Sequence, residues 1–233
     1  MTNVIIITGN RKGIGYALSH AYLQEGHTVI GCSRQPSLLE HPNYRHFIVD
    51  VADENAVIAM VRSVKKEFGR IDVLLNNAGT ASMNHTLTTS LSSANHILQT
   101  NIIGTFLFLR EVSKVMLKQK KGRIVNYSTI ATALRLEGEA LYAASKAAIE
   151  NLTQTTAKEL ATFGITVNAI APTPIETDLI KAIPKEKLDA LLGKQAITRF
   201  GNFDDIKHVI DFFIDDKSDF ITGQIIHLGG VHS

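Results

Sequence analysis

The chain has 233 residues, 45% hydrophobic and 20% charged with no tryptophan, a composition able to bury a core without help from metal or disulfide. Its 24 Lys and Arg against 22 Asp and Glu leave a formal charge of +2, too near balance to point to a nucleic acid or an anionic membrane as partner. The one cysteine, Cys32, excludes an internal disulfide and a multi-cysteine zinc site and suggests a reducing, cytoplasmic setting. No segment reaches the ~18 apolar residues of a membrane span, and the opening MTNVIIITGN reads as neither an export signal nor an anchor.

Short β-branched apolar runs alternate with longer amphipathic stretches, the pattern of parallel strands joined by crossover helices. Strands are expected at 4–8, 28–32, 44–49, 73–76, 123–127, 165–170 and 224–228, rich in Ile and Val as strands covered on both faces should be. The expected fold class is α/β, a doubly wound parallel sheet of about seven strands with helices on both faces. Gly26, Gly69, Gly122 and Gly164 each follow an amphipathic run, where a left-handed residue closes a helix. The run 102–109, with Phe106 and Phe108, is apolar nearly all round and should be buried, in the core or at a subunit contact. Lys118, Lys120, Lys121 and Arg123 read as solvated cations at a helix end, and Cys32 as a small core residue. The nine histidines lack companion ligands at metal spacing, so no metal site is expected. No repeat or linker interrupts the alternation, which predicts one domain over 1–233. Only 172–198 breaks the rhythm, with Pro172, Pro174 and Pro184, and it reads as a lid over a substrate.

Directly after the first expected strand stands TGNRKGIG. Gly9, Gly13 and Gly15 allow a tight turn and a close backbone approach to a pyrophosphate, whose charge then meets the positive end of the following helix. The loop residues Gly9, Arg11, Lys12, Gly13, Ile14 and Gly15 thus form a candidate dinucleotide seat, with spacing G-x-x-x-G-x-G in place of the commoner G-x-G-x-x-G. Cofactor choice should be written at the end of the second strand, where a carboxylate would grip a free ribose 2′-hydroxyl. Ser33 and Arg34 stand there instead, and Arg34 with Lys12 offers two cations for a 2′-phosphate, so NADP(H) is the expected cofactor. Asp50 and Val51, after the third strand, are placed to meet the adenine, although an aspartate there also serves as a helix cap.

Tyr142 and Lys146 lie four residues apart in ALYAASKAAIE and so share a helix face. A phenol near pKa ~10 is a poor acid or base at neutral pH, and a neighbouring ammonium favours its phenolate. With TGNRKGIG, NNAG at 76–79, Asn101 and YAASK in this order, the chain resembles the classical short-chain dehydrogenase/reductase family. GRIVNYST, GITVNAIAP, RFGNFDD and FITGQIIHLGG extend the resemblance over nearly the whole length. It implies a Rossmann-type sheet, hydride transfer between nicotinamide and a carbonyl or alcohol carbon, and a homo-oligomer, tetramer or dimer. It also implies Tyr142 as the acid/base, Lys146 as the nicotinamide-ribose ligand that tunes it, and Asn101 as support for a relay water. Asn77, Ala78 and Gly79 would line the cofactor groove while Asn76 ties strands together; Pro172, Ile175 and Thr177 would hold the nicotinamide end, Ile175 through its backbone and Thr177 through its hydroxyl.

Two positions depart from the family pattern. Its serine, thirteen residues before the tyrosine, falls on Thr129, with Ser128 one residue early and expected on the opposite face of the strand end. Thr129 keeps a hydroxyl for the substrate carbonyl at the cost of a narrower pocket. Thr173 replaces the glycine that commonly follows the proline at Pro172.

The segment 131–141, with Arg135, should form a pocket wall. General appearance is closest to 3-oxoacyl-[acyl-carrier-protein] reductases, but of the two basic sites implied for carrier docking one falls on Lys120 and the other on Phe163. The expected substrate is therefore a small-molecule carbonyl, with an acyl thioester on a carrier as the alternative and a non-catalytic NADP(H) sensor as the reading from a different class.

Overall fold

The computed structural model describes residues 2–175 and 185–231. Seven parallel strands form one sheet in the order β3-β2-β1-β4-β5-β6-β7. They are β1 (Val4–Thr8), β2 (Thr28–Ser33), β3 (Tyr44–Ile48), β4 (Val73–Asn76), β5 (Gly122–Tyr127), β6 (Ile165–Ala171) and β7 (Ile225–His227). The chain winds outward from β1 to β3, returns to the sheet centre at β4 and winds out the other way. This reversal opens a crevice beyond the carboxyl ends of β1 and β4, the usual ligand site of such sheets.

The two-residue period of the strands divides the core into two layers. Ile6, Ile30, Leu74, Ile124 and Val167 face one side and meet Val57, Met60 and Val61 of α2 (Glu54–Phe68) and Leu107, Phe108 and Val112 of α4 (Gly104–Gln119). On the other side Ile5, Ile7, Leu75 and Val125 meet Leu18 and Tyr22 of α1 (Gly13–Gln24) and Ile206, Ile210 and Phe213 of α8 (Phe203–Ile214). The other helices are α3 (Leu91–Leu98), α5 (Ala131–Leu134), α6 (Ala140–Leu160) and α7 (Lys185–Leu192). No helix among the described residues is long and apolar enough to cross a membrane.

Helix ends show where local chemistry is satisfied and where it is left open. Asp53 caps α2 by accepting from the Ala56 N–H, and Asn202 and Asp205 form a reciprocal capping box on α8. At α1 the residue before the first turn is Lys12, with no side-chain cap and no acidic residue in that turn. Its first N–H groups and dipole are thus left facing the crevice.

Three expectations change. Gly122 opens β5 and does not close α4; the left-handed position belongs to Lys120 at φ 54°. A Cβ at Gly122 would lie 2.3 Å from Met116 Sδ, so space rather than backbone angle demands glycine there. Arg123 is not a solvated cation: it is 5% exposed on β5 and reaches the Asp216 carbonyl, while Lys121 pairs with the Asp216 carboxylate at 2.7 Å. In 102–109, Leu107, Phe108 and Leu109 are buried but Ile103 and Phe106 are 38% and 39% exposed, so α4 keeps an apolar outer edge. Phe108, fully buried between α4 and the sheet, is the test of this layer. Phe108→Ala should lower unfolding free energy by about 3–5 kcal/mol, read as a shift of the urea midpoint.

Candidate active site

The glycine-rich loop leaves β1 in a tight turn, with Gly9 at φ 68° and Gly13 at φ 61°. A side chain at Gly9 would strike Ala78 Cα at 2.7 Å, and one at Gly15 would meet Asn77 Nδ2 at 2.5 Å and the Gly9 carbonyl at 2.8 Å. The loop is therefore pressed onto the segment after β4. Asn77 donates to the carbonyls of Thr8 and Gly9, and the Ala78 N–H donates to Thr8 Oγ1 at 2.9 Å. Asn77, expected to line the cofactor groove, clamps the groove's two walls together through its amide nitrogen. Asn76 joins β4 to β5 through Asn126, which continues to Thr153 on α6.

Arg11, Lys12 and Arg34 are exposed and make no salt bridge among the described residues, whereas Ser33 donates to the Gln35 carbonyl at 2.6 Å. A feature not foreseen joins this corner to the glycine loop: Asn10, fully buried, donates to Tyr44, which meets His46, which in turn contacts Ser33 and the Gln35 carbonyl. Alternation along β3 places Tyr44 and His46 on one face, the signal that was available in the sequence. Asp50 is exposed and accepts from the Ala52 N–H, while Val51 is 7% exposed and packs against Gly104, so much of its surface is spent on the core.

Tyr142, Lys146 and Glu150 follow one another at four-residue spacing on α6. Lys146 is 6% exposed and donates to the Tyr127 carbonyl at the end of β5 at 2.8 Å; burial lowers its pKa to about 8. Burial pushes the Tyr142 phenol up to about 12, opposed by the neighbouring Thr129 hydroxyl, which favours the phenolate. Thr129 is thus the hydroxyl that reaches Tyr142. Ser128, 4% exposed, turns away and donates to the Glu150 carboxylate, which also accepts from Thr132 at 2.8 Å, with His227 Nε2 3.7 Å away. Thr132 Oγ1 also lies 2.8 Å from the Thr129 carbonyl, so this cluster braces the turn that carries Thr129.

Asn101 sits in a π turn, Gln99–Ile103, between α3 and α4. Its amide nitrogen donates to the Thr80 carbonyl and Ser145 Oγ and its oxygen accepts from the Thr80 N–H, so the side chain is committed to holding 80 against α6. Gly79 lies in the gap: a Cβ there would stand 3.3 Å from Lys146 Nζ and 3.4 Å from Asn101 Oδ1.

Beyond β6, the Pro172 carbonyl accepts from the Ile130 N–H and Ile175 is 6% exposed beside Gly201. Thr173 is buried without a left-handed backbone, so the departure from glycine imposes no strain. A cavity of about 390 Å³ opens here, lined by Thr173, Gln195, Ile197, Leu228 and Gly229 among others. Thr177 and the middle of the expected lid, 176–184, lie outside the described residues. Among the described residues no three His, Cys, Asp or Glu side chains gather as for a metal ion.

A doubly wound sheet with a glycine-lined crevice at its switch point and a tyrosine-lysine pair beside it defines a dinucleotide-dependent class of protein. A family model described as enoyl-(acyl carrier protein) reductase matches residues 8–232, and the chain belongs to the short-chain dehydrogenase/reductase family. It is 34% identical over 240 residues to a 3-oxoacyl-[acyl-carrier-protein] reductase FabG of Staphylococcus aureus, covering 99% of this chain and 98% of that one. Among solved structures it resembles ElxO with NADP bound, at TM-score 0.90 and 31% identity over 98% of this chain and 97% of that one. It also resembles an NAD+-bound xylitol dehydrogenase, at TM-score 0.89 and 30% identity over 98% of both chains.

Lys146 gives the site a measurable cost. Between about pH 8 and the ordinary lysine value the unfolded chain holds a proton the folded chain has lost, so this group makes stability rise with pH across that window. Lys146→Met should therefore stabilise the cofactor-free protein at pH 7, by roughly 3 kcal/mol, with the gain fading toward pH 10; thermal unfolding at both pH values reads it.

Proposed function

We propose that the protein is an NADP(H)-dependent oxidoreductase that moves a hydride between nicotinamide and a carbonyl or secondary alcohol carbon. The observation that carries this reading is the placement of the Thr129 hydroxyl beside the Tyr142 phenol, with the Lys146 ammonium one helical turn further along α6. The crevice fits a dinucleotide: Gly9 and Gly15 let its two walls pack closely, a side chain at Gly79 would intrude on the gap beside Lys146 and Asn101, and the α1 N-terminus is uncapped. Backbone groups of Gly9, Arg11, Lys12, Gly13, Ile14 and Gly15 would hold the pyrophosphate. Ser33, Arg34 and Lys12 would take a 2′-phosphate, and Asp50 and Val51 the adenine. Asn77, Ala78 and Gly79 would line the groove, and Pro172, Ile175 and Thr177 the nicotinamide end.

Bound there, the nicotinamide supplies or accepts the hydride. Thr129 and Tyr142 both donate to the substrate carbonyl oxygen, fixing it and polarising it. Tyr142 then gives up its proton, and Lys146 stabilises the phenolate through its charge while binding the ribose. Because the Asn101 amide nitrogen has both hydrogens engaged, a relay water would rest on its backbone carbonyl in the π turn.

The similarity to 3-oxoacyl-[acyl-carrier-protein] reductases supports a second reading, reduction of an acyl thioester. Lys120 and Phe163 bear on it. They lie at the opposite end of β5 and β6 from Thr129, separated from it by the six residues of β5, or about 20 Å of strand. A carrier docked there would need an arm that spans this distance to this chain's own Tyr142, or an oligomer in which a neighbour's site lies nearer.

Titration with NADPH and NADH tests the cofactor. NADPH should bind at least ~10-fold tighter, about 1.4 kcal/mol, and equal affinities would sink the 2′-phosphate reading. On a panel of ketones and 3-oxoacyl thioesters, Thr129→Val and Tyr142→Phe should each lose nearly all turnover while Ser128→Ala keeps most of it. NADPH binding without turnover on any substrate would favour the sensor instead.

A further inference from the structure

Gln35 and Ser33 shape the corner where the 2′-phosphate is read, and the hydrogen bonds behind them run in one direction. The Gln35 carbonyl can only accept, so His46 Nε2, 3.0 Å from it, carries the ring proton and Nδ1 is left as an acceptor. Tyr44 O–H, 3.0 Å from Nδ1, supplies that proton. Asn10 Nδ2 donates to the Tyr44 oxygen at 2.7 Å and to Ser19, whose own proton goes to the Gly15 carbonyl. The chain therefore starts on the glycine loop and ends at the loop after β2. Burial keeps His46 below its ordinary pKa, hence neutral at pH 7, in the one tautomer this chain demands. Among the described residues no carboxylate, Lys or Arg side chain is a hydrogen-bond partner of His46, and Arg45, next to it on β3, faces away to Glu67.

The Gln35 carbonyl has two donors, His46 Nε2–H and the Ser33 hydroxyl at 2.6 Å. A phosphate accepts only, so Ser33 must turn its proton away from that carbonyl to bind one; a ribose 2′-hydroxyl can donate to Ser33 as it stands. We propose that His46 is a specificity-positioning residue for the 2′-phosphate: by keeping the Gln35 carbonyl bonded, it releases the Ser33 hydroxyl to the phosphate and holds the Ser33–Arg34 corner in register with Lys12. This rests on the NADP(H) reading above and adds to it a residue that does not touch the cofactor.

The test is equilibrium titration of NADPH and NADH, followed by nicotinamide fluorescence, on the wild type, His46→Phe, His46→Gln and Tyr44→Phe. His46→Phe should cut the NADPH-over-NADH preference at least about fivefold, with NADH affinity held within about twofold. His46→Gln, whose amide can still donate to the Gln35 carbonyl, should keep the preference within about twofold of wild type. Tyr44→Phe, which removes the partner of Nδ1, should lower the preference about two- to threefold. An unchanged preference in both His46→Phe and Tyr44→Phe overturns the proposal, as does equal weakening of both cofactors, which is the mark of a purely structural role. A wild type without preference for NADPH fails at the earlier step and removes the 2′-phosphate reading with it.

Discussion

The buried ammonium of Lys146 is the constraint around which the rest of the site is arranged. A cation 6% exposed, with one carbonyl as its hydrogen-bond partner, costs the folded chain free energy that the core must offset. The fold supplies that offset at a distance, through two apolar layers whose central strands Ile5–Ile7 and Leu74–Leu75 are fully buried. The same arrangement explains why Gly79 and Asn101 crowd the ammonium so closely: a larger residue at 79 would displace it. A charge held this way is poorly satisfied alone, and under the proposed reaction a ribose hydroxyl and a phenolate would satisfy it, so that binding and chemistry would recover what folding gives up.

The strands were legible because β-branched runs covered on both faces carry an unambiguous signal, and all seven stand within one residue of where the pattern placed them at their starts. The Thr129 position was legible for a related reason: alternation across a strand end forbids Ser128 and Thr129 from facing the same way, and the two hydroxyls turn to Glu150 and Tyr142 respectively. What escaped was decided by tertiary contact. Lys120 takes the left-handed angle that closes α4, while Gly122 is held to glycine by the space beside Met116. The nearly all-round apolar pattern of 102–109 could not show which apolar residues the sheet would leave uncovered. The π turn at Asn101 has no composition signal at all.

Asn77 illustrates a further limit. A motif names the residues that recur around a cofactor, but it does not separate those that touch the ligand from those that build the wall. Here the Asn77 amide nitrogen is spent on the Thr8 and Gly9 carbonyls, and Asn76 and Asn126 run a hydrogen-bonded line from β4 through β5 to α6. These buried amides carry their partners with them, which makes them costly to disturb and useful for setting a register. Their presence ties the glycine loop, the end of β4 and α6 into one frame.

The two ends of the crevice follow the same logic with opposite chemistry. At the proposed reacting end the Lys146 charge is buried with few partners among the described residues, which ligand and substrate would add to. At the adenosine end the cations Lys12 and Arg34 stay in solvent, and it is the neutral chain from Asn10 through Tyr44 and His46 to Gln35 that is ordered behind them. Exposed cations attract any phosphate and discriminate little by themselves, since their charge is screened and their side chains are mobile. Discrimination needs a donor of fixed direction, and fixed direction comes from groups whose other bonds are already made. The position of His46, on a strand at the sheet edge with no charge of its own, is where such a constraint can be imposed without adding another buried ion.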